Sequence, residues 1–182
     1  MKTRITNLSL VRLLTAVVGL TLAGQVTAQT FTILHSFLGG TDRAEPNAGL
    51  TLSSNILYGT TYWAASSTSS IGFVRGTVFS IHTDGEGFTN LHTFPALGND
   101  NTSSEGTGPV VGLTLSGNTL YGTAGTGGTS GSGTVFYLKT DGSGFAVLHN
   151  FTALSYPVET NSDGSAPESE LVLSGDTLYG RQ

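Results

Sequence analysis

The stretch "TDGEGFTNLHTF", Thr83–Phe94, returns 57 residues later as "TDGSGFAVLHNF", Thr140–Phe151, with eight of twelve positions identical. A phrase repeated at such a distance marks a repeat architecture, in which each copy meets the same packing problem against its neighbours. The "LH.F" core of the phrase also occurs further back, in "ILHSF", Ile33–Phe37, so its histidines stand at 35, 92 and 149. A second signature recurs as "NILYGTT" around Tyr58, "NTLYGTA" around Tyr121 and "DTLYG" around Tyr179. Between the two lie "GTVFSI", Gly76–Ile81, and "GTVFYL", Gly133–Leu138.

Each full unit therefore holds four short β candidates: a, "GLTLS"; b, "NTLYGT"; c, "GTVFYL"; and d, "GFAVLHNF". All are rich in β-branched and aromatic residues and are bounded by Gly, Asn, Asp or Ser. The a–b joint, "LSGNTL", offers a Gly-Asn turn with positive φ, and the c–d joint, "TDGSG", offers Asp-Gly, a strong hairpin signal. Four antiparallel neighbours in sequence order make a meander. Simple alternation along strand d puts Phe145, Val147, His149 and Phe151 on one face and Ala146, Leu148 and Asn150 on the other. Val135 and Phe136 in strand c face opposite ways, as do Leu120 and Tyr121 in strand b, so both faces of each sheet are apolar.

Small four-stranded sheets covered on both faces by like neighbours are the blades of a β-propeller. The expected fold is all-β: a β-propeller-like array of four-stranded antiparallel blades, about two of them full, with partial blade strands at each end. The repeat signatures fall near residues 31–37, 48–94, 110–151 and 171–180. A parallel β-helix is the alternative stacked-sheet reading, but its turns need fewer residues and no Asp-Gly hairpins.

Ahead of the repeats, Lys2, Arg4 and Arg12 precede the apolar run "LLTAVVGLTLAG", and Val26–Ala28 supplies small residues for cleavage. Residues 1–28 are expected to be a signal peptide and 29–182 the repeat domain. That implies an exported protein, periplasmic, extracellular or at the cell surface, with no membrane span in the mature chain. The net charge of −5, with no basic cluster, argues against nucleic acid and anionic membrane surfaces as partners. With no cysteine, neither disulfides nor thiolate metal sites hold the fold together. The sequons at Asn101 and Asn150 arise easily by chance in a chain so rich in Ser and Thr.

The series "GTVFSIHTDGEGFTNLHTF", a Pro-containing linker and then "GLTLSGNTLYGTA" resembles the GloVer (Gloeo/Verruco) tandem-repeat family of exported bacterial proteins. The resemblance covers nearly all of the mature chain. It implies an exported, propeller-like repeat protein and carries over no catalytic residue. Family members commonly hold more repeats and a C-terminal anchor, whereas this sequence reaches "LYGRQ" inside a repeat. The chain is therefore expected to be truncated relative to its family, with association of two chains into one ring as the less favoured rescue.

Several residue sets invite a chemical reading. Three histidines suggest zinc, but equivalent places in successive blades keep His35, His92 and His149 apart, and a ring nitrogen satisfied by a loop carbonyl or hydroxyl is the expected role. Asp84 and Asp141 suggest acid–base chemistry, yet both sit in Asp-Gly turns, where Asp serves backbone geometry. Asp100, Glu105 and Asp163, in the d–a loops, are candidate calcium ligands without an EF-hand or nonapeptide pattern. Tyr62 and Trp63, in a b–c loop with no aromatic counterpart in the next unit, are the candidate ligand-binding residues, suited to a sugar ring or a protein partner. The glycines of "GTGGTSGSG" lack the Lys and helix of a phosphate loop and are expected to mark a mobile turn.

No catalytic residue, metal or cofactor is expected. The reading is a structural or interaction module whose partner, another protein or a glycan, is unknown. A carbohydrate-binding or carbohydrate-active propeller and a remnant of a longer repeat protein are the alternatives.

Overall fold

The structure, a computed structural model, describes residues 30–38, 45–62, 76–155 and 160–181. The expected signal peptide, residues 1–28, and Trp63 lie outside the described residues. The chain divides into Met1–Thr32 and Ile33–Gln182. Of the first unit only Thr30–Thr32 is described, an exposed stretch without regular structure; every element below belongs to the second.

In chain order the strands are β1 (Thr51–Ser53), β2 (Ile56–Thr61), β3 (Thr77–His82), β4 (Thr89–Thr93), β5 (Ser103–Thr107) and β6 (Thr114–Ser116). There follow β7 (Thr119–Ala124), β8 (Thr126–Gly128), β9 (Thr134–Lys139), β10 (Ala146–Asn150), β11 (Val172–Ser174) and β12 (Thr177–Tyr179). Sheet 1 has the order β1-β2-β3-β4 and sheet 2 the order β6-β7-β9-β10; β11-β12 and β5-β8 are two-stranded. All these ladders are antiparallel. Among the described residues the fold is all-β, without a helix, and its sheets are open. The a–b–c–d meander expected from the sequence is present twice, and a third a–b hairpin follows as β11-β12.

The Asp-Gly turns form as their residue types require. Gly85 and Gly142 take φ of 89° and 84°, a region open to glycine at little cost. Asp84 Oδ1 accepts the Glu86 N–H at 3.0 Å, and Asp141 Oδ1 accepts the Ser143 N–H at 2.9 Å. Around them the backbone repeats bond for bond: Thr83 N–H donates to Asn55 O and Thr140 N–H to Asn118 O, both at 2.9 Å.

Two expectations fail in instructive ways. Leu91 and Leu148 have no partner in their ladders, because Val78 pairs His92 while Phe79 pairs Asn90, and Val135 pairs His149 while Phe136 pairs Val147. Each is a β-bulge, and one extra residue reverses the parity of everything beyond it. Phe145 therefore turns back to stack on His92 of sheet 1, whereas His149 lies past the bulge, as His92 does in strand β4. Simple alternation wrongly placed Phe145 and His149 together. The first Leu-His-x-Phe segment, Leu34–Phe37, is not strand, and among the described residues no c strand precedes it. Its side chains dock all the same, with His35 stacked on Phe88 at 4.1 Å and Phe37 edge-on to Phe79 at 5.2 Å.

The core lies between successive sheets rather than within one. Tyr58, Val78 and Phe94 of sheet 1 pack with Leu113, Leu120, Ala124, Phe136 and Leu138 on the side of sheet 2. Val78 and Phe79, adjacent on β3, serve different neighbours: Val78 joins this core, and Phe79 meets Phe37. That is why both faces of the strand are apolar. Burial of this kind gives about 25 cal/mol per Å² of apolar surface.

Candidate functional site

The repeated residues converge on one structure, the contact between a d strand and the c–d hairpin of the next sheet. His92 stacks face to face on Phe145 at 3.8 Å, and Phe94, fully buried, meets Phe136 edge-on at 5.1 Å. Gly142 sits directly over the bulge: a Cβ on it would stand 2.8 Å from the Leu91 carbonyl oxygen. Gly85 makes the same approach to Leu34, at 2.9 Å. The Asp-Gly turn is thus both a hairpin device and a place where two backbones touch.

A second contact uses the Leu-Tyr-Gly glycine. A Cβ on Gly59 would be 2.6 Å from the Phe79 ring and 2.7 Å from Leu50. On Gly122 it would be 2.6 Å from the Phe136 ring and 2.9 Å from Leu113. In both sheets the c-strand Phe lies across a bare glycine of strand b. The a strands are tied in turn by threonines: Thr51 Oγ1 donates to the Leu113 carbonyl, and Thr114 Oγ1 to the Leu171 carbonyl. Leu50–Leu52, Leu113–Leu115 and Glu170–Leu173 border one open groove of about 660 Å³.

His92 and His149 are satisfied by carboxylates, not by the carbonyl or hydroxyl expected. His92 Nε2 lies 3.0 Å from Glu105 Oε2, and His149 Nε2 lies 2.8 Å from Asp163 Oδ2. Burial holds the His92 imidazole below its ordinary pKa, and the Glu105 charge and hydrogen bond only partly oppose this. Asp163 also accepts the Thr152 N–H at 3.1 Å and its hydroxyl, and these bonds hold its carboxyl below the usual carboxylate range. Asp100 is lowered in the same way by Thr102, through the hydroxyl at 2.8 Å and the N–H at 3.1 Å.

Asp100, Glu105 and Asp163 are therefore occupied separately, and among the described residues no three His, Asp or Glu side chains gather as a metal set. Sequence reading missed the His–acid pairs, although the acid follows its histidine by 13 residues in one unit and 14 in the next. That shared spacing was the available signal.

Of the two candidate ligand-binding residues, only Tyr62 is described. Its N–H donates to Glu45 O at 3.0 Å. Its ring lies against Gly108, where a Cβ would come within 2.9 Å of it. The side chain thus packs sheet 1 against the loop that leads to sheet 2. The Gly-rich b–c loop of the next unit is not the mobile turn expected. Thr126–Gly128 is β8, paired with β5, and Thr126 Oγ1 meets Thr107 Oγ1 at 2.9 Å. Next to it, Asp100, Asn101, Thr126, Ser130 and Ser132 border an open cavity of about 460 Å³.

A unit that writes its inter-sheet contacts into the same residues each time defines a repeat family, and residues 16–182 match the model of the Gloeobacter/Verrucomicrobia repeat. The chain belongs to that family. No curated protein and no solved structure matches it. In this Gloeobacter/Verrucomicrobia repeat, the Leu-His-x-Phe and Asp-Gly signatures are the two sides of one sheet-to-sheet joint, and the Leu-Tyr-Gly glycine seats the c-strand Phe within its own sheet.

Proposed function

We propose that the chain is exported through its leader, Met1–Ala28, and works at the cell surface or in the periplasm as a structural or interaction module of propeller-type blades. It performs no chemistry of its own in this reading. The observation that carries the proposal is where the repeated residues go: His92, Phe94, Phe136, Gly142 and Phe145 all serve the joint between sheets. Support for blades comes from the a strands, which share one groove and are linked by Thr51 and Thr114. The expected result of cell fractionation with N-terminal sequencing is a chain starting at Gln29 outside the cytoplasm. An unprocessed chain retained in the cytoplasm would overturn the export reading. A crystal structure with β1, β6 and β11 splayed apart, rather than gathered about one axis, would remove the propeller.

Contact with a glycan is a second reading, favoured by the open cavity beside β8 and by the Tyr62–Trp63 pair. Trp63 is the sole tryptophan, so its fluorescence reports directly on polysaccharide binding. A flat titration across a broad panel would end that reading.

A further inference from the structure

Three loops build the cavity of about 460 Å³ beside β8: the loop after β4, with Asp100 and Asn101, the loop between β7 and β9, with Ser132, and the loop after β10, with Ser165. None of its bordering residues belongs to the Leu-His-x-Phe, Leu-Tyr-Gly, Gly-Thr-Val-Phe or Asp-Gly signatures. Packing of sheet on sheet therefore does not account for it. Loops that a repeat does not copy are where a repeat chain adds binding.

The walls are cross-linked. β5 pairs β8, the Ala166 N–H donates to the Ser132 carbonyl at 2.9 Å, and the Ser130 hydroxyl donates to the Phe151 carbonyl. Asn101 and Ala166, at φ of 61° and 50°, are two of the four non-glycine residues with left-handed backbone among the described residues, and both border the cavity. Such positions gather at ligand clamps. A wall already in place spares a ligand the entropy of ordering it.

The groups on offer select the occupant. Asp100 gives Oδ1 to the N–H and hydroxyl of Thr102, which leaves Oδ2 as an acceptor. Among the described residues no hydrogen bond engages the Asn101 amide or the Ser132 and Ser165 hydroxyls. One acceptor beside three groups that both donate and accept is what the hydroxyls of a sugar require. Ala153 and Leu154, the latter 43% exposed, supply apolar surface for the C–H face of the ring. No Lys or Arg among the described residues borders the cavity, and Thr102 holds the Asp100 carboxyl below the usual carboxylate range, so an anionic glycan meets a negative charge with nothing to offset it. An ammonium gains little from one exposed carboxylate in water.

We propose that this cavity binds one or two uncharged hexose units of a glycan chain, through Asp100, Asn101, Ser132 and Ser165, with Leu154 against the sugar ring. The inference rests on the glycan reading above and gives it a site and a glycan class.

The test uses the full chain and soluble polysaccharides: dextran, a galactomannan and a mixed-linkage β-glucan as neutral probes, polygalacturonate and alginate as anionic ones, and a chitosan oligosaccharide as the cationic one. Saturable calorimetric binding to at least one neutral probe is expected, unchanged between about 0.05 and 0.5 M NaCl, with amide shifts at Asn101, Ser132 and Ser165. Asp100→Asn keeps an oxygen for Thr102 and turns the other acceptor into a donor. It and Leu154→Lys should each weaken binding at least about fivefold at unchanged Tm. Asp141→Asn alters a turn capped in the same way, at Ser143 and away from the cavity, and should leave affinity as it is. Salt-sensitive binding of the charged probes in place of the neutral ones overturns the proposal. So does neutral-glycan binding that is lost in Trp63→Ala and untouched in Asp100→Asn, which keeps the glycan reading at another site. Absence of binding across the whole panel ends both.

Discussion

Strands β4 and β10 carry the same phrase, yet one ends in a sealed joint and the other on an open surface. Past the bulge in β4, His92 is sandwiched against Phe145 and Phe94 is fully buried. Past the bulge in β10, His149 keeps its edge-on contact with Phe151 at 4.9 Å, and among the described residues no ring stacks across it. What differs is the neighbour, not the strand. Burial in this fold is therefore a property of pairs of sheets, as expected where each repeat contacts only the next.

The sharpest way to break the comparison is to delete the same ring on both sides of it. Phe94→Ala removes a buried ring from between Phe136 and Phe145 and should cost about 3–5 kcal/mol. Phe151→Ala should cost clearly less, because its cavity is already partly empty. Urea unfolding of the two variants, compared by midpoint at constant m, measures the difference. Equal losses would mean that the two joints are equally closed.

A methyl group probes the same asymmetry from the glycine side. Gly122→Ala forces a Cβ to within 2.6 Å of Phe136 and 2.9 Å of Leu113, an overpacking expected to cost about 1–3 kcal/mol. Gly180→Ala meets only the flexible end of Leu171 at 2.9 Å and should be close to neutral. Thermal unfolding separates the two outcomes. A Gly180→Ala chain as unstable as Gly122→Ala would show that some ring already lies over the third glycine.

These contrasts also mark what the sequence could and could not disclose. Strands a to d were legible because their signals are local: β-branched residues between turn formers, closed by Asp-Gly. The bulges at Leu91 and Leu148 were not, because one extra residue in a strand leaves no mark in the local alternation of apolar and polar residues. Strands β5 and β8 hid for another reason. Apart from Glu105 they are made of Ser, Thr and Gly, which read as loop, and they hold through pairs such as Thr107–Thr126. Glu105 and Asp163 stood out as loop acids, but their histidine partners went unread.

The buried member of the His pair should leave a trace in the pH dependence of stability. Burial lowers the His92 pKa in the folded chain, so as pH falls below about 6.5 the unfolded chain binds a proton that the folded chain refuses. Stability should therefore decline from about pH 6.5 down to the lowered folded value and level off below it. The depressed carboxyls of Asp100, Asp141 and Asp163 act in the opposite sense of charge and lower down: their stabilisation is lost only as pH falls through the carboxylate range. His92→Gln should flatten the upper window and leave the lower one. A His92→Gln chain with the parent's full pH profile would locate the effect elsewhere.

The smallest effect comes from two threonines in equivalent places. Thr60 Oγ1 donates to the Val111 carbonyl at 3.1 Å, tying sheet 1 to the segment that enters sheet 2. Thr123 is its counterpart in sheet 2, equally buried, and its hydroxyl has no partner. Valine replaces a hydroxyl with a methyl of similar shape, so Thr60→Val should lose about 1 kcal/mol of hydrogen bonding. Thr123→Val removes only an unsatisfied group and should be neutral or stabilising by up to about 1 kcal/mol.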